Sequence, residues 1–189
     1  MTLERSPERD AAIRAALPHV PALGWTESAL EAGLRDIGED PMAHLWLFPR
    51  GPVSAAEAWA DLGDRDMAEA VGDLSLLRIP GRIRRLIATR MEQNEPHKEA
   101  LRRALSVLAL PWNAGIAART LARTADAMWA AAGDMSADFS WYTRRASLGA
   151  IYAATLTYWL SGRDTEEALA FLDRRLAGLA RLQAPRRAA

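Results

Sequence analysis

Apolar residues recur along this chain at steps of three and four, the spacing that brings side chains onto one face of an α-helix. The clearest run is Leu148, Ile151, Tyr152, Thr155 and Trp159, and a near-heptad run follows at Leu169, Leu172, Leu176, Leu179 and Leu182. Shorter versions occur at Leu30, Leu34 and Ile37, at Ile83, Leu86 and Ile87, and at Leu101, Leu105 and Leu108. No segment alternates apolar and polar residues between turn signals, as a half-buried strand does. The pattern predicts an all-α protein of about nine helices.

Punctuation places their ends. Ser6-Pro7 reads as an N-cap followed by proline at the first helical position, opening a helix over residues 7–17 that Pro18 and Pro21 then disturb. Thr26 caps a second helix, and Gly38 stands where a helix ends in a left-handed residue. Asp40-Pro41 opens a short third helix that ends near Phe48. Ser54 is expected to cap a fourth, which carries Trp59. A fifth spans residues 82–93, and a sixth begins at Pro96 and stops at Leu110-Pro111. A seventh covers residues 113–132, with Gly133 behind it. Asp138 or Ser140 caps the eighth. Asp164 with Glu167 three residues on forms a capping box for the ninth. There is no internal repeat and no linker. The expected organisation is one domain, with residues 1–50 as a three-helix head and residues 51–189 as the remaining helical part.

The 189 residues suffice for a sizeable buried core. Basic and acidic residues balance at 24 each, so no global field draws the chain to nucleic acid or to an anionic membrane. The absence of cysteine excludes disulfides, thiolate chemistry and cysteine-bound metals, and fits a reducing compartment. No signal-type or membrane-spanning segment is visible. Only one of the basic residues, Lys98, is lysine, a bias that suggests a GC-rich bacterial genome. The expected location is the cytoplasm, with peripheral contact on the inner membrane face.

Candidate chemistry is sparse. His19, His44 and His97 belong to no metal-ligand spacing, and no cofactor is expected. The glycines are isolated, without a phosphate-cradling loop, and no serine sits in a nucleophile elbow. Glu166-Glu167 occupies a helix first turn, where carboxylates favour the macrodipole. These readings give no catalytic residue and point away from an enzyme. Arg78, Arg82, Arg84, Arg85, Arg90, Arg102 and Arg103 form a basic stretch that reads as a solvated face offset by Glu92, Glu95 and Glu99. Of seven tryptophans, Trp25, Trp46, Trp59 and Trp159 fall on apolar stripes and are expected in the core. Trp112, Trp129 and Trp141 stand in polar contexts, open to either a core or an interface role.

The first three helices, with Gly24-Trp25-Thr26, Ala29-Leu30, Gly38 and Leu45-Trp46-Leu47-Phe48, resemble the helix-turn-helix of TetR-type repressors. A DNA reader needs donors and a basic flank. Residues 1–50 hold instead five arginines (Arg5, Arg9, Arg14, Arg35, Arg50) against eight acids (Glu4, Glu8, Asp10, Glu27, Glu31, Asp36, Glu39, Asp40). DNA is therefore not an expected partner. A TetR-like ligand-responsive transcriptional regulator remains the alternative reading, and a ligand-free dimeric scaffold a third.

From about Pro96 to Leu176 the chain resembles the Coq-nine family of ubiquinone-biosynthesis proteins. The resemblance lies in Pro96-His97-Lys98, Leu110-Pro111-Trp112-Asn113, Asp126-Ala127-Met128-Trp129, Gly133-Asp134, and above all Asp138-Phe139-Ser140-Trp141-Tyr142-Thr143-Arg144-Arg145. Ile151-Tyr152 and Phe171-Leu172-Asp173-Arg174-Arg175-Leu176 complete it. It implies a TetR-repressor-like all-α homodimer that binds an isoprenoid lipid or ubiquinone intermediate and presents it to the di-iron demethoxyubiquinone hydroxylase. It carries a partner surface onto Trp141 and Tyr142, with Asp126, Met128 and Arg145 as neighbours. The helical stripes then offer Leu105, Leu108, Trp129, Leu148, Ile151, Tyr152 and Thr155 as the lipid-binding set. Eukaryotic members of that family carry a further amphipathic helix past the Phe171–Leu176 segment, expected here to be missing or replaced by the ninth helix.

Overall fold

A computed structural model describes residues 4–133 and 140–183, with side chains for 4–133 and 143–178. The described residues contain no strand. The helices in order are α1 (Pro7–Ala16), α2 (Val20–Leu23), α3 (Glu27–Asp36), α4 (His44–Leu47), α5 (Pro52–Ala70), α6 (Ile79–Asn94), α7 (Lys98–Leu108), α8 (Ala114–Ala131), α9 (Ser140–Leu160) and α10 (Thr165–Gln183). Single 3-10 turns at Pro41–Ala43, Glu95–His97 and Pro111–Asn113 lead into α4, α7 and α8.

The caps are those the sequence announces. Ser6 accepts the Arg9 amide at 3.2 Å, and Thr26 accepts that of Ala29 at 3.3 Å. Past α3 the Gly38 amide bonds the Arg35 carbonyl at 3.1 Å and the Glu39 amide bonds that of Leu34 at 2.9 Å. With Gly38 at φ 74°, this is a Schellman closure. Asp164 accepts the Glu167 amide at 2.7 Å while Glu167 accepts that of Asp164 at 3.3 Å, a complete capping box. Two boundaries differ from expectation. The segment containing Pro18 and Pro21 forms the short α2, because proline is compatible with a helix's first turn. α5 starts at Pro52, so Ser54 lies inside its first turn, donating to the Gly51 carbonyl at 3.0 Å. The cap expected of Asp138 lies outside the described residues.

The chain forms two compact units, one running up to Asp66 and including Gln93–Thr120, the other joining Met67–Glu92 to the chain from Leu121 onward. In the first, α1 and α3 cross almost backbone to backbone. A Cβ on Gly33 would lie 2.5 Å from the Ala16 nitrogen, so only glycine fits. Ile13, Leu30, Leu34 and Phe48 fill the space around this crossing. Trp25 packs on Trp59 with ring centroids 5.4 Å apart and donates its indole N–H to the Ala100 carbonyl at 2.9 Å. Ion pairs bind α1 and its leading residues to α5: Arg5 to Asp61 at 2.7 Å, Arg65 to Asp10 at 2.7 Å, and Arg14 to Asp66 at 2.9 Å. Hydrogen bonding to Asp10, with the nearby Asp61 charge, raises the already high pKa of Arg65.

In the second unit, Met67, Ile83, Leu86, Ile87, Met128, Leu148, Trp159 and Leu172 are buried. α9 approaches α8 closely at Gly149, whose missing Cβ would meet Leu121 at 3.4 Å. α10 is held to α9 by the Trp159 N–H bonded to Thr165 at 3.0 Å and by Tyr158 stacked on Phe171 at 4.6 Å.

Trp46 corrects the expectation of a core position. It is 61% exposed, with Met42 and Leu45 beside it on the same outward face. α4 is one turn long, and its inward side is already occupied by buried Ala43, His44 and Phe48. Trp112 is 77% exposed, and Trp129 is half-buried.

The crossing gives a sign-reversing test. Gly33→Ala should lower unfolding stability by roughly 1–3 kcal/mol or more, as overpacking against rigid backbone does. Gly178→Ala, in open space on α10, should raise it by about 0.5–1 kcal/mol. Urea melts of the two variants check both signs.

Candidate functional site

The sequence candidates lie chiefly on α8 and α9, in the second unit. Asp126 on α8 is ion-paired with Arg145 on the first turns of α9. The carboxylate is half exposed, while the guanidinium is largely buried. Met128, two residues beyond Asp126 and on another side of α8, is fully buried. The side chains of Trp141 and Tyr142 lie outside the described residues, although their backbone opens α9.

Leu148, Ile151, Tyr152 and Thr155 share one buried face of α9, continued by Leu156 and Trp159. Thr155 satisfies its hydroxyl on the Ile151 carbonyl at 2.8 Å, so it presents a methyl rather than a free donor to this face. Trp129 differs. Its indole nitrogen is buried and has no acceptor among the described residues. Such a donor carries a desolvation cost until something meets it. Leu105 and Leu108 are half-buried and belong to the first unit.

The remaining titratable groups are engaged structurally. His19 meets Asp36 at 2.6 Å, and His44, buried, faces the Pro41 carbonyl at 2.8 Å. Burial holds the His97 imidazole below its ordinary range. Among the described residues no three histidine or carboxylate groups are arranged for a metal ion. The basic stretch is mostly committed: Arg84 pairs with Asp173 at 2.6 Å, Arg85 with Glu92 at 3.6 Å, Arg103 with Glu99 at 2.9 Å, and Arg102 with Glu99, while Arg90 is buried.

The head has the helix-turn-helix connectivity, but its charges are spent internally. Arg5, Arg9, Arg14, Arg35 and Arg50 lie against Asp61, Glu4, Asp66, Glu31 and Glu57 respectively. The helix in the reading position turns Met42, Leu45 and Trp46 outward. Phosphate contacts need uncommitted cations, and base edges need polar donors. Sequence reasoning missed two exposed apolar features, this α4 face and Leu76 with Leu77 before α6, while Trp112, for which an interface role was left open, is exposed beside Leu110. The adjacent leucines at 76 and 77 were the one available signal for the second.

Comparison with known proteins bears on these residues. Residues 114–183, which include α8, α9 and α10, match the model of the COQ9 family. The chain is 32% identical over 174 residues to the human mitochondrial ubiquinone biosynthesis protein COQ9, covering 87% of this chain and 55% of that protein. It is 34% identical over 153 residues to the Schizosaccharomyces pombe protein of the same name, covering 79% and 59% respectively. The chain thus spans little more than half the length of these relatives. Among solved structures it is similar to a TetR transcriptional regulator from Nitrosomonas europaea, with a TM-score of 0.71 and 18% identity over 93% of this chain and 99% of that one. That likeness establishes a TetR-like all-α fold.

The Asp126–Arg145 pair should matter more to stability than its exposed counterpart. Asp126→Asn should cost about 1 kcal/mol, because it strips a largely buried guanidinium of its carboxylate. Asp173→Asn, which breaks the half-exposed pair with Arg84, should cost roughly 0.5 kcal/mol or less. Chemical denaturation at low and high salt compares them.

Proposed function

We propose that this chain, which spans little more than half the length of the COQ9 relatives it matches, serves ubiquinone biosynthesis as a non-catalytic lipid-binding protein. Its ligand in this reading is an isoprenoid quinone intermediate, presented to the di-iron hydroxylase that acts on demethoxyubiquinone. One observation carries the reading. Within the family-matched segment, a buried apolar face on α9 accompanies a buried indole N–H, that of Trp129, which lacks an acceptor among the described residues. An isoprenoid tail would gain from apolar burial at about 25 cal/mol per Å². A quinone or phenol oxygen is the acceptor an unpaired indole N–H requires.

No covalent step is assigned to the protein. Its work is to remove the lipid from a bilayer, shield it and orient its ring. Trp141 and Tyr142, with the Asp126–Arg145 pair beside them in sequence pattern, form the proposed hydroxylase-facing surface, since rigid aromatic residues give large contact area at low entropic cost. A homodimer is part of the same proposal. The regulator-like fold does not itself carry DNA binding, because fold and function separate and the head's arginines are paired.

Native mass spectrometry of protein purified from its host should find a co-purifying isoprenoid or quinone. Trp129→Phe keeps the ring and removes the donor, and should weaken quinone binding by about tenfold while leaving thermal stability unchanged or slightly raised. A lipid-free protein that also fails to bind added quinone overturns the reading. Trp141→Ala should lower hydroxylase affinity by about tenfold or more without altering lipid content, as loss of an aromatic anchor does.

A further inference from the structure

The segment joining α5 to α6 projects two leucines into solvent. Leu76 is 96% exposed and Leu77 41%, while Leu74 is buried beneath them. Fully exposed leucine at a loop tip has no folding role, since it contributes nothing to the core.

The loop is nevertheless built with care. Asp73 accepts the Ser75 amide at 2.8 Å and its hydroxyl at 2.9 Å, and the Leu77 amide bonds the Leu74 carbonyl at 3.0 Å. Arg82 reaches back from α6 to fasten the turn. It donates to the Leu77 carbonyl at 2.8 Å and to the Ser75 carbonyl at 3.4 Å, and anchors both to the Ala132 carbonyl, just past the end of α8, at 2.9 Å. The apolar tip is therefore presented in one conformation, which lowers the ordering cost of any association.

Its surroundings select the partner. Of the arginines that follow the tip, Arg84 and Arg85 pair with Asp173 and Glu92 and Arg90 is buried, which leaves Arg78 and Arg82 nearest the leucines, against the single acid Asp73. Arg78 stands exposed directly beside Leu77. The tip is a projection with a cation at its base. A bilayer accepts an apolar projection of any shape and attracts the cation at its base. The exposed α4 face has the opposite rim, with Glu39 and Asp40 next to Met42, Leu45 and Trp46, and anionic headgroups would repel it.

We propose that the loop at residues 73–78 is a membrane foot, in which Leu76 and Leu77 insert among the acyl chains of an anionic bilayer while the exposed Arg78 meets its headgroups. This rests on the lipid-carrier reading for its purpose, because a carrier must reach the bilayer that holds its cargo. The geometry stands independently of it.

The test uses the whole chain with vesicles of phosphatidylcholine alone or containing phosphatidylglycerol. The protein should co-sediment with the anionic vesicles, and Leu76→Asp with Leu77→Asp should weaken this by about tenfold or more, as loss of two inserted leucines requires. Arg78→Glu should weaken it about threefold or more and only for the anionic vesicles. Trp46→Asp should leave it unchanged. Because the chain has no cysteine, Leu76→Cys labelled with an environment-sensitive dye gives a direct readout, and its emission should shift to the blue on the vesicles. All sites are exposed, and circular dichroism verifies folding. Unchanged binding by the double variant, or an unshifted label, overturns the proposal. Co-purifying lipid measured in the same double variant separates the two readings: lipid retained with vesicle binding lost supports the foot and leaves the carrier reading intact, whereas a lipid-free wild type that still docks through the loop overturns only the carrier reading.

Discussion

Trp25 has to bury a large ring and still satisfy one N–H. It does both by lying on Trp59 of α5 while donating to the Ala100 carbonyl of α7. That one side chain fixes where the head stands against two long helices of the first unit, because an indole bonded at its edge and packed on its face has little freedom left. The close crossing of α1 and α3 at Gly33, the Arg103 bond to the Pro21 carbonyl and the α1–α5 ion pairs then follow as a consistent set. Burial chooses the arrangement, and the polar contacts determine its register.

Much of this was legible in sequence because helix ends are written in local chemistry. Ser6, Thr26, Gly38 and the Asp164/Glu167 box each act over three or four residues, so their meaning does not depend on the fold. The α9 stripe was legible for the same reason. What the sequence could not supply was coverage. Trp46 sits at a helical spacing that looks like core, yet periodicity tells which residues share a face and not whether another element lies on that face. The pairing of the head's arginines was equally hidden, since Arg5–Asp61 and Arg14–Asp66 join residues more than 50 positions apart. Of the candidate site, the α9 face could be read directly, whereas the buried donor of Trp129 required coordinates.

The head shows how little a shared backbone says about the groups it displays. A helix-turn-helix binds DNA through cations left uncommitted and polar groups turned outward. Here each head arginine lies against a carboxylate, and the outward face of the short helix is apolar. The family match, in contrast, lies on the segment that holds α8, α9 and α10.

Arg82 closes the loop before α6 through three carbonyl oxygens. A guanidinium stays charged across the whole biological pH range, and carbonyls do not titrate at all. The Arg82 fastening is consequently indifferent to acidity, whereas the Asp73 carboxylate, held below its ordinary range by its bonds to Ser75, lets go of its side of the turn only in acid. For the proposed membrane contact this means a strength that follows ionic strength and lipid charge near neutral pH, with the loop's shape unchanged.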